Sequence, residues 1–217
     1  MGFDFSVLLQ YKNLLLQGLL VSFELTFFAI IGGMFIGAFL ALMRMSRIWI
    51  VSALAGGYVN FLRSLPLILV IFWFYVLTPK IVGHAIDAYS SVLVAFILFE
   101  AAYYCEIIRA GISSVKRGQV QAGLAMGFSY LRVMRYIVLP QALRNMVPVL
   151  LTQAIIMFQD TSIVYVVGVR DFLTTADVVA NSTNRPIELY SMVAVTYLVI
   201  CFTASRLVSR LQRRYAL

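Results

Sequence analysis

KRGQVQAGLAMGFSYLRVMRYIVLPQALRNMVP, residues 116–148, lies between two apolar runs of membrane length and contains no Asp or Glu. A connection this long between membrane-length runs is uncommon unless it has a function of its own. Its basic residues predict a cytoplasmic location. We therefore expect a partner protein on the cytoplasmic side to bind this segment.

The composition places the chain among membrane proteins. Of its 217 residues 62% are hydrophobic and only 12% are charged, and the mean hydropathy is +0.94. A membrane-spanning helix needs about 20 mostly apolar residues, and five segments reach that length: 14–43, 51–77, 91–108, 145–168 and 188–211. The sequence therefore predicts an all-α, multi-pass membrane protein with about five spans.

The positive charge has a simple explanation in such a protein. Five spans put the two termini on opposite sides, and one side then collects all 17 Lys and Arg residues except Lys12, Lys80, Arg170 and Arg185. Basic residues accumulate in cytoplasmic loops. We expect the N-terminus outside, the C-terminus in the cytoplasm, and no role in nucleic-acid binding despite the net charge of +8.

Several kinds of chemistry find no support in the sequence. No G-x-x-x-x-G-K-[ST] phosphate loop is present, so neither ATP binding nor hydrolysis is expected. His84 has no partners at metal-ligand spacing, and no metal site is predicted. Cys105 and Cys201 fall within predicted spans, where small apolar roles are favoured. The first apolar run is too long for a signal peptide, so it is expected to remain as a span.

Glycine and proline punctuate the predicted spans. Gly33 and Gly37 are four residues apart and predict a close helix contact on one face of the first span. Pro66 predicts a kink or local opening of the second span. A short outer loop is expected at 78–89, and residues 170–186 predict an interfacial helix at the outer surface.

The third predicted span carries two carboxylates. Glu106 precedes Arg109 by three residues, which predicts an ion pair within the helix. Glu100 shares a helical face with Tyr103 and Tyr104. That patch fits either of two roles: lining a substrate path or holding two helices together.

Polar residues also cluster in the fourth span, at Gln159, Asp160, Thr161 and Ser162. Gln153 lies two turns before Asp160 and is expected on the same face. In the second span, Arg63 is the only basic residue placed well inside a span. It would either contact substrate or form a structural pair with Glu100 or Asp160.

Residues 118–140 predict two cytoplasmic helices joined by a turn. The first opens at Gly118, has apolar residues at Val120 and Leu124, and stops at Gly127. Ser129 is expected to cap the second helix. An apolar stripe at helical spacing then ends just before Pro140: Leu131, Met134, Ile137 and Val138. Such a unit could fit a groove on a soluble partner; a helix pair lying on the membrane surface is the alternative.

This segment resembles the cytoplasmic coupling loop of binding-protein-dependent ABC importer permeases, summarised as EAA, then glycine, then a leucine–proline pair. Gly127, Leu139 and Pro140 match, as does the following QALR at 141–144. The loop departs from the pattern at 121–123, where Gln-Ala-Gly replaces Glu-Ala-Ala. The resemblance implies these ATPase-coupling residues: Gly118, Gln121, Ala122, Gly123, Met126, Gly127, Leu139 and Pro140.

Other stretches resemble the polar amino acid permeases within that class. They are FLRSLPLIL at 61–69 and FQDTSIVYV at 158–166, while FEAAYYCEIIRAGI at 99–112 resembles the glutamate/aspartate permease subunits. Many members have a lysine where this chain has Gln159. The resemblance implies a candidate substrate pathway: Arg63, Glu100, Tyr103, Gln159, Asp160, Thr161 and Ser162.

The resemblance also implies the setting. It predicts one type I importer permease domain over 1–217, with a core at about 14–214 and a coupling loop at about 116–140, in the bacterial inner membrane. Expected partners are two ATPase subunits that use ATP and Mg, a second homologous permease, and a periplasmic amino-acid-binding protein. A heterodimer of permeases is favoured over a homodimer.

Three other functions compete with this interpretation. One is a homodimeric permease for glutamine, histidine or a basic amino acid. A passive channel or structural membrane subunit is the second, although neither needs a helical coupling loop. The third, a membrane-embedded enzyme, is disfavoured because no catalytic constellation accompanies His84.

Overall fold

The computed structural model describes residues 6–215, without the side chains of 214 and 215, and within that range every regular element is helical. The α-helices are α1 (Ser6–Gln10), α2 (Lys12–Arg44), α3 (Trp49–Arg63), α4 (Leu67–Val82), α5 (Ala88–Ser113), α6 (Arg117–Ala125), α7 (Tyr130–Val133), α8 (Leu139–Asp160), α9 (Phe172–Thr183) and α10 (Pro186–Tyr215). A π-helical turn (Met134–Val138) joins α7 to α8, and a 3-10 helix (Thr161–Val167) follows α8. The predicted all-α class is confirmed.

Four helical stretches in the described part of the chain are long and apolar enough to cross a membrane: Lys12–Arg44, Ala88–Ser113, Tyr130–Val167 and Pro186–Arg213. A fifth crossing requires α3 and α4 to count as one broken span, since they meet at an angle of 106°. Pro66 lies at the break, in extended conformation just before α4. The predicted kink at Pro66 is confirmed.

Glycines bring α2 against α5, as the sequence predicts. A Cβ atom added to Gly33 would lie 2.7 Å from the Cβ of Glu100, and one added to Gly37 would lie 2.7 Å from the Cβ of Tyr104. Contacts this short leave no room for a side chain at these two positions of α2. The backbone of α2 at Gly33 and Gly37 therefore packs directly against the side chains of Glu100 and Tyr104 on α5.

The predicted outer helix at 170–186 is present as α9, but its apolar face is covered by protein. Phe172, Ala176 and Val179 are buried in a cluster with residues of α1, α2 and α10. The backbone N–H of Phe172 donates to Ser22 Oγ of α2 at 3.1 Å. Helix α9 thus ties α2 to α10 and does not rest its apolar face on lipid.

The outer loop between α4 and α5 is shorter than the predicted 78–89. Helix α4 continues through Pro79 to Val82 and is capped by Gly83. Gly83 has a φ of +80°, which glycine adopts without strain because it has no Cβ atom. The loop is then only 83–87. Asp87 caps α5 by accepting from the Ser90 N–H at 2.9 Å, and this hydrogen bond lowers the pKa of the Asp87 carboxyl.

The second cytoplasmic helix does not end before Pro140, as the sequence suggested, but runs on from Tyr130 to Val167. The π-helical turn resolves the conflict with proline. The N–H of Leu139 reaches back five residues to the carbonyl of Met134, and this wider turn makes room for the proline ring. The Gln141 side chain donates to the Ile137 carbonyl at 2.8 Å. The fourth span is therefore continuous with the cytoplasmic helix.

Candidate functional site

The turn between the two cytoplasmic helices is fixed by backbone geometry. We call α6 and residues 126–138 the coupling unit. Gly127 has a φ of +83°, and the N–H groups of Gly127 and Phe128 bond to the carbonyls of Leu124 and Gly123. This is a Schellman motif, and it confirms Gly127 as the stop of the first helix. Ser129 takes the N-cap position of α7, although its hydroxyl makes no capping hydrogen bond.

Gly123 holds the two helices of the coupling unit together. A Cβ on Gly123 would lie 2.7 Å from the Ile137 side chain and 2.9 Å from that of Val133. Val133 is fully buried, and Val138 is 2% exposed. The glycine that departs from the family pattern thus permits a close contact, and the coupling unit is packed as one body.

The predicted apolar stripe of the second helix is partly wrong. Leu131 is 78% exposed, whereas Val133, which the stripe omitted, is buried. The reason is that Gly123 and Val120 of α6 cover the Val133 face, and the sequence pattern does not show which face α6 covers. Other large apolar side chains of the coupling unit are exposed as well: Leu124, Met126, Tyr130 and Tyr136.

At the base of the coupling unit, a short polar contact links the two helices that flank the unit in the sequence, α5 and α8. Asn145 Nδ2 of α8 donates to Ser114 Oγ at the end of α5, at 2.8 Å. Ser114 Oγ in turn donates to the Gly111 carbonyl at 2.7 Å. Gly111 packs closely against Met146, since a Cβ atom added to Gly111 would lie 2.9 Å from the Cβ of Met146. The two ends of the segment are thereby held side by side.

Three arginine side chains surround the Glu106 carboxylate of α5. Glu106 accepts two hydrogen bonds from Arg109, at 2.9 and 3.1 Å, which confirms the predicted pair within the helix. Arg44 Nη1 of α2 lies 2.6 Å from Oε1 of the same carboxylate, and Arg63 Nη1 lies 3.7 Å from Oε2. We call these four residues the arginine cluster. Arg63 also stacks over the ring of Tyr103, with its Cζ 5.3 Å from the ring centroid.

The structural pair expected for Arg63 is therefore different from either prediction. Its ionic partner is Glu106, and neither Glu100 nor Asp160 forms an ion pair with it in the described part of the chain. The local pattern could not show this, because Arg44, Arg63 and Glu106 come from three different helices. Arg44 was not a predicted site residue at all.

Glu100 and Tyr104 form a separate buried region against α2. Glu100 has no exposed surface, and its Oε1 accepts from Gln153 Nε2 of α8 at 2.9 Å. Its Oε2 and the Tyr104 hydroxyl have no hydrogen-bond partner among residues 6–215. Tyr103 lies on another face, beside Phe99 and beneath Arg63. The predicted patch is thus split, and its Glu100 and Tyr104 half lies between helices.

The polar cluster of the fourth span lies at the junction of α8 with the 3-10 helix. Gln159 is exposed, Asp160 and Ser162 are half-buried, and Thr161 is buried. The hydroxyl groups of Thr161 and Ser162 donate to the carbonyls of Phe158 and Gln159. The structure does not bring this cluster into contact with Arg63. Within residues 6–215 no three His, Cys, Asp or Glu side chains are placed to hold a metal ion.

Comparisons with known proteins identify the class. Residues 33–217 match the family model of the binding-protein-dependent transport system inner membrane component. The chain is 43% identical to the glutamate/aspartate import permease protein GltK of Escherichia coli O6:H1, over 99% of both chains. It is 32% identical to the glutamine transport system permease protein GlnP of Escherichia coli K12, over 99% of this chain and 98% of that one.

Solved structures agree with the fold. A chain in the crystal structure of an amino acid ABC transporter with histidines superposes with a TM-score of 0.92 at 35% identity, over 99% of this chain and 100% of that one. An inward-facing MetNI methionine ABC transporter gives a TM-score of 0.70 at 20% identity, a likeness of fold alone. This chain belongs to the family of binding-protein-dependent transport system inner membrane components, and it is a non-catalytic, multi-pass permease subunit of an ATP-driven importer.

Proposed function

We propose that this chain forms part of the translocation path of an importer for acidic amino acids, glutamate and aspartate. The assignment of the transported substrate rests on the 43% identity to a glutamate/aspartate permease over 99% of both chains, against 32% for a glutamine permease. Family membership implies an ATPase and a binding protein as partners. ATP and Mg would be used by the ATPase, since the sequence has no phosphate loop.

The cargo is tested by uptake into proteoliposomes that contain the complete complex and its binding protein. Glutamate and aspartate should be taken up in an ATP-dependent manner, and a hundredfold excess of glutamine or histidine should not compete. A permease for another polar amino acid is the second candidate, and the likeness to a glutamine permease supports it. Uptake of glutamine or histidine without uptake of glutamate or aspartate would favour that candidate and overturn ours.

We propose that the coupling unit docks on the ATPase. Two observations support this role. The two helices of the coupling unit pack tightly together at Gly123, and several large apolar side chains of the unit are exposed, as is common at interaction sites. Met126, 75% exposed, lies at the turn of the unit. The ATPase would pull the unit as one body, and the continuous helix at 130–167 would carry that motion into the fourth span.

Met126→Asp tests the docking role. The substitution should leave the permease folded, because the side chain is exposed, but it should abolish most ATP-coupled uptake and weaken co-purification of the ATPase. Gln212→Asp is the matched control, an exposed polar position at the end of α10. Equal ATPase recovery and uptake in the two variants would refute the docking surface.

We also propose that the N-terminus is periplasmic and the C-terminus cytoplasmic, as the basic residues suggest. His84→Cys, in the exposed loop 83–87, should react with an impermeant maleimide in intact cells. Gln212→Cys, at an exposed position near the end of α10 and outside the proposed docking surface, should react only after permeabilisation. Cys105 and Cys201 are buried, so the background labelling should be low. The reverse pattern would invert the topology.

The candidate substrate pathway remains as the resemblance implies. It comprises Arg63, Glu100, Tyr103, Gln159, Asp160, Thr161 and Ser162. In alternating access, closure of the ATPase dimer would re-orient the spans around this polar set. We further propose a heterodimer of permeases, which co-purification from native membranes would test: a second, homologous permease in equal amount supports it, and this chain with an ATPase alone contradicts it.

A further inference from the structure

A cavity of about 410 Å³ lies between α5 and α8, beside the arginine cluster and directly above the base of the coupling unit. Cavities of 300–1,000 Å³ are typical of small-molecule sites. Its polar lining comes from Arg63, Glu106, Ser114 and Asn145, and the rest is apolar side chain and small residues. On the proposed topology, this cavity lies in the cytoplasmic half of the bundle.

The cavity presents a cation that is loosely held. Arg63 touches Glu106 through a single long contact of 3.7 Å, whereas Arg109 binds the same carboxylate through two short hydrogen bonds. The Arg63 side chain is 39% exposed and is supported from below by Tyr103. A guanidinium has five N–H donors, so most of those on Arg63 remain available to a ligand.

The local charge favours an anion. Three guanidinium groups surround one carboxylate, which leaves a surplus of two positive charges. Glu106 also lines the cavity, but Arg44 and Arg109 already hold its two oxygens. Arginine matches a carboxylate in a planar, two-bond geometry. The surplus and the free donors therefore both point to a carboxylate ligand.

The cavity lining also offers an acceptor for an ammonium group. Asn145 donates through Nδ2 to Ser114 Oγ, so its Oδ1 remains as an acceptor. The Ser114 hydroxyl is already used, since it donates to the Gly111 carbonyl. An amino acid spanning the cavity could thus place one carboxylate on Arg63 and its ammonium on Asn145.

We propose that this cavity is a cytoplasmic release site for the carboxylate-bearing cargo, in which Arg63 binds a carboxylate and Asn145 the ammonium group. The proposal rests on the proposed function, because it takes its ligand from the acidic cargo. It assigns to Arg63 a step after translocation, when the cargo leaves toward the cytoplasm. Cargo accumulating on that side would occupy the site and slow further turnover.

The test uses the complete complex in lipid nanodiscs, without nucleotide and without the binding protein. Radiolabelled glutamate should bind saturably to the wild type, and Arg63→Gln should weaken binding about tenfold or more, as expected for loss of a charge-assisted contact. Arg47→Gln is the matched control: Arg47 is exposed near the same end of the bundle, with no ion pair in the described part of the chain. Wild-type affinity in the Arg63→Gln complex, or no saturable binding to the wild type, would overturn the release site.

A second variant keeps the test decisive if Arg63→Gln disturbs folding. Asn145→Leu should weaken glutamate binding several-fold but leave binding of glutarate, which lacks the ammonium group, unchanged. Equal losses for the two ligands would contradict the assigned orientation. Uptake with the binding protein is measured in parallel, so that absence of acidic amino acid uptake refutes the proposed function. Normal uptake without Arg63-dependent binding refutes the release site alone.

Discussion

Helix α5 carries two carboxylates six residues apart, about 9 Å along the helix, and their surroundings are opposite. Glu106 is held by three arginines from three helices. Glu100 is fully buried, and its one hydrogen bond within the described residues comes from the neutral amide of Gln153. One region of the helix is built on charge and the other on close packing.

The difference shows what each region can contribute. Replacing one partner of a partly buried charged cluster leaves the other charges partly desolvated and without a counter-ion, which is destabilising. A buried acid without a cation nearby gains nothing from being ionised, so its hydrogen bond and its fit against Gly33 decide its contribution. Stability measurements on single substitutions can therefore separate the two regions.

The largest effect is expected at the arginine cluster. Glu106→Gln would leave three guanidinium groups without their carboxylate, and we expect the free energy of unfolding to fall by about 2 to 3 kcal/mol. This is below the range for fully buried pairs because Glu106 is 18% exposed and the three arginine side chains are 20%, 39% and 37% exposed. Thermal unfolding of the purified complex measures it, with exposed Glu24→Gln as the control. Equal melting midpoints for the two variants would show that the arginines do not depend on Glu106.

The close contact beside Glu100 should be the next most sensitive. Gly33→Ala places a Cβ 2.7 Å from the Glu100 Cβ, between packed backbones that cannot move apart cheaply. We expect a loss of about 2 kcal/mol from overpacking. Gly57→Ala is the control, since a Cβ there meets nothing within 4 Å. If both variants melt alike, the α2–α5 contact is softer than the structure indicates.

The glycine contacts and the spans were accessible from the sequence because they follow local patterns. Run length predicted the four long apolar helices to within a few residues at most ends, and Pro66 predicted the break between α3 and α4. The pair of Glu106 and Arg109 was also local, three residues apart on one helix. Each of these predictions needs only spacing along one helix.

Contacts between distant segments were not accessible in this way. Arg44 and Arg63 reach Glu106 from 62 and 43 positions away, and no periodicity links them. The stripe error at Leu131 has the same origin, because Gly123 of another helix decides that Val133 is buried. The helix through Pro140 was missed for a different reason: a π-helical turn is a rare solution to a proline within a helix.

A smaller effect is expected from the single hydrogen bond to Glu100. Gln153→Leu removes the donor and leaves both carboxylate oxygens without a partner in the described residues. We expect the free energy of unfolding to fall by about 1 to 2 kcal/mol. Gln17→Leu, at an exposed position of α2, is the control. A loss as large as that of Glu106→Gln would mean that Gln153 supports more than this one bond.

The smallest effect is expected for Glu100→Gln, the same substitution that should be most damaging at Glu106. The amide has nearly the same shape, its oxygen can still accept from Gln153, and no cation loses a partner. We therefore expect a change of less than about 1 kcal/mol in the free energy of unfolding. Thermal unfolding and acidic amino acid uptake are measured on the same preparation. Unchanged melting with reduced uptake would place Glu100 in the pathway, whereas a melting loss equal to that of Glu106→Gln would mean that a cation outside the described residues pairs with Glu100.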